Sequence, residues 1–151
     1  MCQSPPMSPG GEFGLYIREA KKGKGMFKDT QAFSGFAVDD LDRAREFYGE
    51  TLGLEIDDDG PGLGLKLATG GRVFVYPKPD HEPAGFTILN FPVADIDAAV
   101  AALAERGVEF ERYEGTPIET DERGIFRGGH GPPIAWFTDP AGNVLSVLEQ
   151  S

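Results

Sequence analysis

The side chains capable of chemistry are few and scattered. His81 stands between Asp80 and Glu82, either of which could hold its imidazole in one tautomer, and His130 stands in the stretch Arg127-Gly128-Gly129-His130-Gly131. Histidine is the natural acid, base or metal ligand near neutral pH. His130 is the better of the two as a catalytic candidate, although most loop histidines have no such task. A metal site using both with a carboxylate is conceivable, but nothing in their spacing specifies it. The glycines around His130 could turn backbone N–H groups toward an anion, yet the segment lacks the Gly-Lys-Ser/Thr ending of a phosphate loop and reads as a mobile connection. Ser146 has no histidine or lysine at a recognisable motif spacing, and Cys2, the single cysteine, sits near the start of the chain. No nucleophile constellation is therefore visible. Asp57-Asp58-Asp59 beside Gly60 reads as a solvated turn, because the alternation and distal glutamate of a calcium loop are missing.

The elements that must position these residues belong to one domain of ordinary size, since the chain has 151 residues. Fourteen Lys and Arg against 25 Asp and Glu leave a net charge of −11. That field repels phosphate backbones, so no nucleic-acid partner is expected. It also favours a cationic over an anionic ligand. No window reaches the ~20 apolar residues of a membrane span, and neither a disulfide nor an apolar leader is in view, so the expected compartment is the cytoplasm. Residues 1–25 are rich in Pro, Gly and Lys and read as a flexible extension, leaving 26–151 as the folded part. There, Phe33 to Val38 forms a strand that stops at Asp39-Asp40. A helix with Leu41, Ala44, Phe47, Tyr48 and Leu52 at helical spacing follows and ends at Gly53. Leu54 to Ile56, Leu63 to Ala68 and Val73 to Tyr76 read as three further strands. The pattern then repeats: Phe86 to Val93 as a strand, a helix through Ile96, Val100 and Leu103, and Gly107-Val108-Glu109-Phe110 echoing Gly53-Leu54-Glu55-Ile56. Gly142 to Val147 echoes Gly71 to Tyr76. The second copy is longer because of an insertion between about Tyr113 and Pro133, which is expected to lengthen the loop before its third strand. A loop of that length in a small domain reads as a lid or binding wall. The fold class is therefore α+β, two tandem βαβββ modules over about 30–79 and 84–150.

Phe33 to Tyr48 (FSGFAVDDLDRAREFY), Gly53-Leu54 and Asp139-Pro140-Ala141-Gly142-Asn143 resemble the vicinal oxygen chelate superfamily of glyoxalases, bleomycin resistance proteins and extradiol dioxygenases. The resemblance implies modules that curl into one open mixed sheet around a barrel-like cleft, in a homodimer. It also implies four cleft positions at which metal-using members carry His, Gln or Glu. By position these are Phe33, Val75, Ile88 and Ser146. Three lack a donor atom and the fourth is a neutral hydroxyl, a poor set for a divalent metal. No metal or other cofactor is therefore expected, although a divalent metal held by displaced ligands stays open.

Strand alternation places Phe86, Asn90 and Ser146 on the same implied cleft face. The expected ligand-binding residues are Phe33, Val75, Phe86, Ile88, Asn90 and Ser146, with Phe126 and Trp136 beside the insertion supplying aromatic contact. An apolar wall with two polar handles suits a small, largely apolar organic molecule. Metal-independent binding of such a molecule, of the resistance or sequestration kind, is the expected function. The alternative is a metal-dependent lyase, isomerase or dioxygenase with displaced ligands, His130 foremost. A non-catalytic interaction domain is a third reading.

Overall fold

A computed structural model describes residues 25–150, so all but Gly25 of the expected extension lies outside the described residues. Strand β1 (Ser34–Val38) runs into helix α1 (Leu41–Glu46). Asp40 starts this helix by accepting the Arg43 N–H at 3.2 Å, satisfying one donor that a helix start leaves open. The chain then widens into a π-helical turn over Phe47–Thr51. Within that turn adjacent Phe47 and Tyr48 both reach the core, their rings meeting edge-on at 5.1 Å. Strands β2 (Glu55–Asp59), β3 (Gly62–Lys66) and β4 (Arg72–Pro77) form an antiparallel meander, and β1 docks parallel to β4.

The second module repeats this order. Strand β5 (Thr87–Val93) leads to helix α2 (Ile96–Glu105), capped by Asp95. Strands β6 (Ile125–Phe126), β7 (Ile134–Thr138) and β8 (Val144–Glu149) follow, with β5 parallel to β8. The sheet orders are β1-β4-β3-β2 and β5-β8-β7-β6, so the internal repeat read from the sequence is present as two matching sheets.

The expected curled sheet with a barrel-like cleft is not. The two sheets are separate four-stranded units, and among the described residues no strand of one is paired with a strand of the other. A single curled sheet needs a hydrogen-bonded ladder across the module boundary, and edge strands β1 and β5 bond only to β4 and β8. The modules meet through side chains instead. Val38, Tyr48, Leu63 and Val75 share one core with Phe137 and Leu145 of the second module. A buried polar clasp sits beside it. The Tyr48 hydroxyl donates to Asp139 Oδ2 at 2.6 Å, and Asn143 Nδ2 donates to the Ala37 carbonyl at 2.9 Å.

A second correction concerns the insertion. Phe110 bridges to Phe137, while Ile125 and Phe126 pair with Ala135 and Ile134. All three lie in line along one edge of β7, so the counterpart of β2 is cut in two. Residues 111–124 leave from inside that strand, and residues 127–133 form the turn to β7. The expected strand at Val108 to Phe110 is thereby reduced to one bridge. Gly124 closes the excursion with φ +91°, and a Cβ there would stand 2.5 Å from that of Phe110, so only glycine fits the return.

Candidate functional site

Each sheet buries one face under helices and core and leaves the other open. In the second sheet Ala135 and Val147 pack with Ile96 and Val100 of α2, which turns Trp136 and Ser146 to the open side by the two-residue period of a strand. Pairing then sets them in a row: Trp136 opposite Ser146, and Ser146 opposite Asn90. Ser146 is fully buried, yet its hydroxyl donates to Asn90 Oδ1 at 2.5 Å, and Asn90 itself is exposed. Leu148 and Ile134 pair in the adjacent row, and Phe126 pairs with Ile134.

Aromatic rings gather around Trp136. Phe126 lies 6.3 Å away at 36°, and Tyr113 meets the indole edge-on at 5.3 Å and 77°. Tyr113 comes from the excursion, and among the described residues it is the one non-glycine with positive φ, at 49°. A bulky residue there is strained and held only by its surroundings. Its carbonyl accepts the Thr116 hydroxyl at 2.7 Å. Partial burial, aided by the Glu111 charge, raises the pKa of its phenol, which therefore stays protonated. Tyr113 was missed in the sequence because nothing in its local pattern says which strand its ring meets.

The structure thus brings Asn90, Phe126, Trp136 and Ser146 together on one face. Phe33 and Ile88 meet elsewhere, lining with Leu67, Arg72 and Val73 an open depression of about 540 Å³ between the starts of β1 and β5. Phe86 is exposed just before β5. Val75 requires correction: it is fully buried in the core shared with Tyr48. Its pairing with core-packed Phe36 fixes it on the face opposite the one expected. Its neighbours Phe74 and Tyr76 occupy the open face of the first sheet, stacked at 5.7 Å. There Arg72 grips Asp57 through two bonds of 2.8 and 3.2 Å, and this hydrogen bonding holds the Asp57 carboxyl below the usual carboxylate range.

The histidines stand apart from the aromatic face in different ways. His130 is exposed at the tip of the turn before β7. His81 is half-buried in the link between modules, its Nε2 without a hydrogen-bond partner among the described residues. Among the described residues no three His, Cys, Asp or Glu side chains are grouped so as to hold a metal ion. The four positions at which the resemblance implies metal ligands do not fit a metal either. Phe33, Val75 and Ile88 offer no donor, and the Ser146 hydroxyl is engaged with Asn90.

Two matching β-α-β sheets of this order, with an Asp-Pro-Ala-Gly-Asn turn before the last strand, define a class. The family described as the Glyoxalase/Bleomycin resistance protein/Dioxygenase superfamily matches residues 30–147, and the chain belongs to it. Among individual proteins, it is similar to the uncharacterized protein YwkD of Bacillus subtilis (strain 168), 29% identical over 125 residues that span 74% of this chain and 89% of YwkD. It is also similar to TnmS3, an antibiotic binding protein from Streptomyces sp. CB03234. The two are 26% identical over 80% of this chain and 96% of TnmS3, with a TM-score of 0.54. A glyoxalase family protein from Enterococcus faecalis shares the fold with a TM-score of 0.60, at 23% identity over 82% of this chain and 98% of that one. Among the described residues no helix is long and apolar enough to cross a membrane.

Proposed function

We propose that the protein binds a small, largely apolar organic molecule on the open face of the second sheet, without a metal ion, in the manner of a sequestering protein. The observation that carries this reading is the row Trp136, Ser146, Asn90 with Tyr113 and Phe126 packed around its aromatic end. Such a surface offers apolar contact area and a fixed polar group to orient a guest, the usual composition of a small-molecule site. The similarity to TnmS3, which is named as an antibiotic binding protein, supports binding rather than turnover. A homodimer in the cytoplasm belongs to the same proposal. Trp136 is the single tryptophan of the chain, so its fluorescence reports on this face alone. A titration with a panel of apolar aromatic compounds should shift its emission saturably. Asn90→Ala and Trp136→Ala, followed by calorimetry, should weaken binding of any hit, and chelator should leave it unchanged. Unaltered affinity in both variants would move the site elsewhere, and loss of binding in chelator would favour the metal-dependent alternative.

A further inference from the structure

Resting on that reading, we infer the chemistry of the guest: a flat aromatic molecule carrying a neutral carbonyl oxygen that Asn90 grips through its Nδ2–H. The argument begins with Ser146. A fully buried hydroxyl needs a partner, and its hydrogen goes to Asn90 Oδ1 at 2.5 Å. A carbonyl oxygen can only accept, so this bond fixes which way the amide is turned. The Nδ2 group, two N–H donors, points away from Ser146 and has no hydrogen-bond partner among the described residues. The indole N–H of Trp136 is likewise a donor without a partner among them, and an indole has no acceptor to offer. Beside its apolar rings the row therefore presents hydrogen-bond donors, which call for an acceptor on the guest. The net charge of −11 opposes an anionic acceptor such as a carboxylate and leaves a neutral oxygen. The rings set the shape. Tyr113 and Phe126 stand at 77° and 36° to Trp136 with centroids 5.3 and 6.3 Å away. These are edge-on and tilted arrangements that a further flat ring extends at the same spacing. The strained backbone of Tyr113 is accounted for if its ring is held in place for such a guest.

Fluorene and fluorenone provide the test, since they share one flat shape and differ in a CH₂ against a C=O. Both are titrated into the full chain by calorimetry, with the emission of Trp136 as a second readout. Without a donor waiting, the ketone should bind no better than the hydrocarbon, because its oxygen loses water on binding. The expected result is binding of both, with fluorenone tighter by about fivefold, the worth of one ordinary hydrogen bond. The ratio of the two affinities should fall to about one in Asn90→Leu and shrink in Ser146→Ala, which frees the amide to turn, whatever either change does to the affinity for fluorene itself. Equal binding of the two probes, or a preference that survives Asn90→Leu, overturns the carbonyl inference and leaves the binding face standing. Binding of neither probe overturns both.

Discussion

Tyr48 shows how much one side chain does in this chain. Its ring is fully buried and lies 5.7 Å from that of Phe36, while its hydroxyl reaches Asp139, 91 residues away. Asp139, itself buried, also accepts the backbone N–H groups of Ala141 and Asn143 and the side chain of Asn143. Four donors thus surround a carboxylate that has no cation against it among the described residues. Tyr48→Phe removes one of them from a buried acceptor and should cost about 1–3 kcal/mol. Urea denaturation would measure this, and an unchanged midpoint would refute it. The same site governs the alkaline limb of stability. Burial, reinforced by the Asp139 charge and hydrogen bond, raises the Tyr48 pKa far above the ordinary phenol value of 10.0. The unfolded chain therefore releases a proton above about pH 10 that the native protein keeps, and stability falls as pH rises through that range. In Tyr48→Phe this fall should be shallower, the remaining slope coming from other groups such as Tyr113.

At the scale of elements, the excursion over residues 111–124 matters most, because it delivers Tyr113 to Trp136. Its return depends on Gly124, where a side chain would enter the space of Phe110 in a backbone conformation that glycine alone adopts readily. Gly124→Ala should destabilise the protein by about 1–3 kcal/mol and loosen Tyr113 from the indole. A red shift in Trp136 emission is the expected signature, and a melting temperature and spectrum like those of the wild type would count against it. The sequence made the strands of the first sheet, β5 and β8, both helix starts and the repeat legible, because Asp40 and Asp95 are strong caps and the apolar periods are clean. Alternation along β5 from Ile88 likewise put Asn90 on the face that the resemblance implied for Ser146. The expectation failed at Val75 because the resemblance supplied that position by counting along the chain, and one residue along a strand is enough to turn a side chain to the other face. Only the pairing of Val75 with Phe36 decides which face it takes. The split of the second strand around the excursion was equally out of reach, since Phe110 and Ile125 become neighbours along β7 through long-range pairing.

For the whole molecule, the absence of a common sheet raises the question of what makes the two modules one folding unit. Among the described residues backbone ladders join strands only within each sheet, so the coupling falls to side chains. The shared core carries Val38, Leu63 and Leu65 from one module and Phe137 and Leu145 from the other, with Phe47 and Phe137 rings 6.4 Å apart. Asn143 ties its turn to the Ala37 carbonyl, and Arg106 donates to the Thr51 carbonyl at 2.8 Å. Neither module could open without exposing apolar surface of the other, which is the condition for an all-or-none transition. Trp136 lies in the second sheet, so its fluorescence follows that module, whereas far-ultraviolet circular dichroism follows both. The two signals should give coincident urea transitions. In Asn143→Ala, which deletes the link to Ala37 and one donor to Asp139, both midpoints should fall together by an amount corresponding to about 1–3 kcal/mol. Separate midpoints in the wild type would mean that each sheet folds on its own and that the shared core and clasp do not couple them.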